Sequence, residues 1–317
     1  MDPDDAYQTK SLRNWLRSLP FIRALFQSRS EVTVRFPGRR VLSAPLPLKP
    51  YAEEHWEFAW LAAAAYVQTP AGQEEERTVR RDAGDTVDPF AQLRQHGWDL
   101  WTNFPDGPLR LIMDQTHLRV EVWEKRSSST IAVSFGGSIF DNRMDWRSNL
   151  RWFLPAHRDA YSDVVQTFAP AFAREFSARS IKAGGEYLRN ARVVSVGHSL
   201  GGGLAQQFAY CLDPKDPVPR VTKVYAFDPS PVTGFFSVEQ TIRRMNSRGL
   251  KIDRIYERGE ILAIARSLIS AILKPPARDP EIRGIRYNLF PIVNPIAGHS
   301  IIRMAVKLAA AAGQPAR

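Results

Sequence analysis

Arg192-Val-Val-Ser-Val-Gly197-His198-Ser199-Leu200-Gly201-Gly202-Gly203-Leu-Ala-Gln-Gln-Phe-Ala-Tyr-Cys211 is the stretch on which the reading of this chain turns. Arg192 to Val196 is a short run rich in β-branched residues, the composition of a strand. Leu200 to Leu212 is rich in Ala and other helix formers, and reads as a helix. Between them Gly197, Ser199 and Gly201 form a GxSxG pattern in a strand–turn–helix setting. Glycines on either side of a serine let the backbone pass through a strained turn, and let strand and helix approach closely. Such a turn lifts the serine hydroxyl above the carboxyl edge of a parallel sheet, where ligands bind in open α/β folds.

Working outward, the same alternation recurs. Leu118–Glu124, Thr130–Phe135, Val221–Phe227 and Lys251–Tyr256 read as strands. Glu53–Val67, Asp159–Ser177 (interrupted at Pro170), Ile261–Leu273 and Ser300–Ala312 read as helices, and Ala71–Asp88 as an exposed polar loop. Strands alternating with helices predict an α/β fold, a mostly parallel sheet with helices on both faces. Pro45, Pro47 and Pro50 mark Ala44–Pro50 as an extended linker. The expected organisation is therefore an N-terminal extension over 1–48 and one α/β domain over 49–317.

Composition narrows the class further. The 317 residues are 44% hydrophobic, enough for a sizeable core and too apolar for a disordered or fibrous chain. A lone cysteine, Cys211, excludes an intrachain disulfide and a CxxC-type zinc site. The net charge is +10, and it is unevenly spread. Between Lys10 and Arg40 eight basic residues face the single acid Glu31, a local excess of seven. Leu12, Trp15, Leu16, Leu19, Ile22, Leu25 and Phe26 recur among them at roughly helical spacing. A basic amphipathic segment of this kind suits an anionic membrane surface, or packs its apolar stripe on the main domain. No zinc-finger or RNP-like pattern points to nucleic acid. Met1–Asp5 lacks the basic and apolar regions of a secretory signal. No stretch approaches the roughly 18 apolar residues of a membrane span. The expectation is a cytoplasmic or peripheral membrane protein, with export only by a signal-independent route. Oligomeric state is not legible.

A serine hydroxyl becomes a nucleophile when a neighbouring imidazole takes its proton. In α/β-hydrolases the order along the chain is Ser, acid, His. Of the six histidines only His299 lies beyond the acids that follow Ser199, in Ile296-Ala-Gly298-His299-Ser300. His299 is the expected general base. His198, inside the turn, is expected to point away from the Ser199 hydroxyl and to serve in packing or hydrogen bonding. The orienting acid must sit beyond the carboxyl end of a strand. Glu260 in Arg258-Gly259-Glu260-Ile261 and Asp228 in Phe227-Asp228-Pro229 both do, whereas Asp253 lies near the start of its strand.

Together these motifs resemble the class 3, fungal-lipase-like family of α/β-hydrolases. The resemblance runs from about Trp56 to about Leu308. It rests on Phe58–Val67, Ile131–Ser138, Asp145-Trp146, Gly197–Gly202, Val224–Asp228 and Gly298-His299-Ser300. It implies an α/β-hydrolase fold, with Ser199 and His299 as nucleophile and base. It implies Ser138 and the N–H of Leu200 as oxyanion donors. It favours Glu260 as acid over Asp228, because Glu260 stands where the family carries Asp after a strand. Two departures are visible: Glu for that Asp, and Gly136 where the family places an Arg.

The resemblance further implies a serine hydrolase of lipid esters, lipase or phospholipase A in type, with the basic segment tilting it toward anionic phospholipids. Ile261–Leu273 would line an acyl pocket, act as a lid, or simply cover the sheet. A soluble short-chain carboxylesterase and a non-catalytic relative that binds lipid or protein are the alternatives. No metal or organic cofactor is called for, and the chain carries no HExxH, phosphate-binding loop or dinucleotide fingerprint.

Overall fold

A computed structural model describes residues 27–36, 42–67, 87–137, 158–215, 217–258, 279–290 and 299–314. Along the chain these form strands β1 (Glu31–Arg35) and β2 (Leu42–Pro47), helices α1 (Leu48–Val67) and α2 (Pro89–Gln95), β3 (Asp99–Leu100), α3 (Gly107–Gln115), β4 (Val120–Lys125) and β5 (Thr130–Phe135). Helices α4 (Arg158–Asp163) and α5 (Ala169–Ser180) precede β6 (Arg192–His198), α6 (Leu200–Cys211), β7 (Val221–Phe227) and α7 (Gln240–Ser247). The last elements are β8 (Lys251–Glu257), β9 (Glu281–Tyr287) and α8 (Ile301–Ala311).

The strands make one sheet in the order β2-β1-β9-β8-β7-β6-β5-β4-β3. β5 through β9 run parallel, and the outer strands on both sides pair antiparallel. Successive residues of the parallel strands feed opposite faces, as the two-residue period requires. Ile131, Val133, Phe135, Val193, Val224 and Ile252 pack under α4, α5 and α6. Ala132, Val194, Val196, Tyr225 and Ile255 pack under α1 and α8. Both faces of β5 and β6 are buried apart from Arg192 at the start of β6, which is why they read as nearly continuous apolar runs. This is an α/β architecture, a mostly parallel mixed sheet with helices on both faces.

One expectation changes. The stretch 44–50 is not a linker. Its first half belongs to β2, paired with β1 through Val32↔Leu46 and Thr33↔Pro45, and its second half is the opening turn of α1. Proline withholds an N–H, so Pro45 and Pro47 are tolerated on a strand that is the sheet's edge, and Pro50 in the first turn of a helix. Within the described part of the basic segment, Glu31–Arg35 is strand β1. Val32 and Val34 point into the core, and Gln27 Nε2 donates to the Glu31 and Arg286 carbonyls, both at 2.9 Å. The segment's remaining residues, 10–26 and 37–40, lie outside the described residues.

The interruption expected at Pro170 is a π-helical turn over Val164–Phe168, immediately before α5. Proline cannot complete the α-helical ladder into the preceding turn, and a wider turn accommodates it. No described helix is long and apolar enough to cross a membrane.

Between α1 and the starts of β7, β8 and β9 lies a buried ionic network. Arg283 donates twice to Asp253, Nε to Oδ1 and Nη2 to Oδ2, each at 2.6 Å. Lys223 Nζ pairs with Asp253 Oδ2 at 2.9 Å and with Glu54. His55 meets Asp253 through Nε2 at 3.3 Å and the Tyr287 hydroxyl through Nδ1 at 2.6 Å. Burial works against the charge on Asp253, but Arg283, His55 and Lys223 outweigh it and hold the carboxyl well below the usual carboxylate range.

Candidate active site

β6 ends at His198, and α6 starts at Leu200. The single residue between them, Ser199, holds φ 56° and ψ −123°. A positive φ costs a non-glycine residue energy, and persists only where its surroundings over-determine it. Those surroundings are specific. The Ser199 N–H donates to the Phe227 carbonyl at 3.0 Å, and its carbonyl accepts from Gly202 N at 3.0 Å and Ser230 N at 2.9 Å. The glycines have no room to be anything else. A Cβ on Gly197 would collide with the Gly201 carbonyl, and one on Gly201 with the Phe135 carbonyl. One on Gly202 would lie 2.8 Å from Pro229 Cβ. Strand and helix touch through bare backbone, and the serine takes the strain of the turn.

Leu200 is the first residue of α6, so its N–H is among the amides that have no acceptor within the helix. Its proposed partner donor, Ser138, lies outside the described residues. The residues leading to Ser138 are described. Gly136 N donates to the Arg119 carbonyl at 2.9 Å, and a Cβ there would sit 3.0 Å from Arg119 Cβ and 3.2 Å from the Ala65 carbonyl. A side chain at position 136 would require these neighbours to give by a few tenths of an ångström. At Gly137 a Cβ would meet the Tyr66 hydroxyl.

His299 begins the turn into α8, capped by Ser300, whose Oγ accepts from Arg303 N at 3.3 Å. The imidazole is buried, and its ring centroid lies 4.6 Å from that of His198. Asp228 follows the last residue of β7, completely buried, with φ 38°. Its N–H donates to the Ile255 carbonyl at 2.7 Å, and its Oδ1 accepts from Glu257 N at 3.1 Å. Ring nitrogens of His198 and His299 and a carboxylate oxygen of Asp228 all lie within 4.8 Å of one another.

Asp228 is the carboxylate that the described residues bring to His299. Glu260 lies outside them, as do Asp145-Trp146 and Ile261–Leu273. Asp253, as expected, is spent elsewhere, in the ionic network at the other end of the strands.

His198 serves in hydrogen bonding and packing, as expected for the turn's inner residue. The Tyr66 hydroxyl lies 3.0 Å from its Nδ1 and donates to its carbonyl at 3.2 Å. Tyr66, the last polar residue of an alanine-rich helix, escaped the sequence reading. So did Glu257, one acid among the many between Ser199 and His299. Cys211 is buried in α6, where loss of solvent pushes its thiol up to about 12.

Two groups among the described residues combine His and carboxylate closely enough to chelate a cation: His198, Asp228 and His299, and Glu54, His55 and Asp253. Lys223 and Arg283 already neutralise the second.

The chain matches no protein-family model and no curated protein. Its fold is similar to that of solved fungal lipases. In a Rhizomucor miehei lipase propeptide complex the likeness is 17% in identity, covers 77% of this chain and 65% of that one, and has a TM-score of 0.44. For the lipase from Rhizopus microsporus var. chinensis the values are 16%, 74%, 73% and 0.42. For Lip2 lipase from Yarrowia lipolytica they are 17%, 69%, 75% and 0.41.

Proposed function

We propose that this chain is a serine hydrolase that cleaves carboxylic esters of lipids. The observation that carries the reading is the backbone of Ser199. A strained serine joins a fully buried parallel strand to a glycine-rich helix, at the sheet edge where His299 and Asp228 meet. In the reaction the Ser199 hydroxyl attacks the ester carbonyl while His299 accepts its proton. The N–H of Leu200 and Ser138 stabilise the oxyanion, and loss of one such donor costs about a hundredfold or more. His299 then passes the proton to the departing alcohol. Water, deprotonated by the same imidazole, releases the acid and restores Ser199.

A carboxylate must orient the imidazole and stabilise its cation. Glu260 has the family resemblance behind it. Asp228 has its position, buried and within reach of His299, and is the acid we assign.

The lipid substrate rests on the class 3 resemblance. The basic segment 10–40 adds a preference for anionic phospholipid surfaces, since each cation near such a surface contributes about 1 kcal/mol. A fluorophosphonate probe should label wild type and leave Ser199→Ala unlabelled. Wild type should hydrolyse anionic phospholipid vesicles or triglyceride emulsion faster than soluble short-chain esters. Activity confined to the soluble ester would make it a carboxylesterase. Folded wild type that takes no label would be a binding relative rather than an enzyme.

A further inference from the structure

Glu257 closes β8 at the carboxyl edge of the sheet, between the ends of β7 and β9, with Tyr287 as its register partner on β9. It is buried. Its N–H donates to Asp228 Oδ1 at 3.1 Å. Its carboxylate accepts from Leu289 N at 3.0 and 3.1 Å and from Phe290 N at 3.3 Å. Those two amides lie at the point where the chain leaves β9 on its way to His299. The Phe290 ring in turn lies under the Arg303 guanidinium of α8, 5.6 Å away, on the helix that His299 opens.

A buried carboxylate is a costly way to satisfy two amides. What it adds is a fixed acceptor that reaches across two strands at once. We propose that Glu257 is a positioning residue, which sets Asp228 through its amide and, through its carboxylate, the chain at Leu289 and Phe290 that packs against the helix opened by His299. The proposal rests on the hydrolase reading above, in which those two side chains act together.

Burial pushes the Glu257 carboxyl up to about 7, against the lowering effect of the Leu289, Phe290 and Arg258 amides. The charged or titratable groups around it are Arg258, Asp228 with its two histidines, and Arg303 beyond Phe290. Taking up a proton replaces one acceptor lone pair with an O–H that faces amide donors. The clamp therefore weakens as pH falls through neutrality, the range in which His299 must be neutral to act.

Glu257→Gln keeps size and one acceptor but neither charge nor titration. Fluorophosphonate labelling and ester turnover followed from about pH 5 to 9 test the role. The variant should lose about tenfold to a hundredfold in kcat and in labelling rate, the scale of a small misplacement, with KM within about twofold. The acid limb of its pH profile should follow one proton where that of wild type follows two. A variant within about twofold of wild type, with the same acid limb, overturns the positioning role while leaving the hydrolase reading intact. Wild type that takes no label overturns both. If Glu257→Gln does not fold, by circular dichroism, Glu257→Asp decides, because it keeps the charge but shortens the reach to the Leu289 and Phe290 amides: turnover within about twofold of wild type overturns the proposal, and a loss of about tenfold or more with KM unchanged upholds it.

Discussion

Ser199 and Asp228 each stand at the end of a parallel strand with a positive φ, 56° and 38°. The second is the less expected, because a following proline biases its predecessor toward extended backbone and here Pro229 follows. Strain of this kind gathers at functional sites. It is the residue-level reason for assigning Asp228 rather than Glu260 as the acid. Asp228→Asn keeps the side chain's shape and the acceptor for Glu257 N, but removes the charge that a histidinium needs. Turnover should fall about 10³- to 10⁴-fold with the fold intact by circular dichroism, while Glu260→Gln stays within about tenfold. The opposite pattern would transfer the role to Glu260.

At the scale of elements, β5, β6, β7 and β8 were legible to within a residue or two, β5 and β6 because a strand buried on both faces reads as a nearly continuous apolar run. β9 was not. Its sequence, Glu281-Ile-Arg-Gly-Ile-Arg-Tyr287, alternates with charge, and Arg283 is accommodated only because Asp253 awaits it on the neighbouring strand. β1, β2 and β3 are short outer strands whose partners supply most of their order. Helix α8 was legible through its apolar stripe and its Ser300 cap. Ser300→Ala removes the acceptor for Arg303 N, and chemical denaturation should show a loss of about 1 kcal/mol with an unchanged m value. A loss below a few tenths would mean that tertiary packing alone holds the helix start beside His299.

For the molecule as a whole, the ionic network beneath the sheet decides how stability responds to acid. Asp253 holds its charge in the folded state more tightly than in the unfolded one. Its contribution is therefore complete above its ordinary value of 3.8 and is lost as pH falls below it. Glu121 and Glu257 act in the opposite sense. Burial pushes both up to about 7, so the folded state keeps protons that the unfolded state releases, and stability declines as pH rises from 4.5 through 7. Asp253→Asn leaves Arg283 and Lys223 with only the partly exposed Glu54 carboxylate between them, which should cost about 3 kcal/mol at neutral pH. The variant should also lose part of the acid-induced decline. A thermal scan series across pH reads both, and an unchanged midpoint at neutral pH would mean that Glu54 alone suffices as counter-ion.

The order of residues by itself determined the α/β class and the turn at Ser199, because glycine spacing and apolar runs are local properties. Tertiary structure alone decided which carboxylate among the described residues lies near His299, that Tyr66 reaches His198, and that Glu257 bridges Asp228 to the amides of Leu289 and Phe290. Those contacts span 29 to 132 positions along the chain. They exist because parallel strands lay their carboxyl ends side by side, and no periodicity in the sequence records which distant ends will be neighbours.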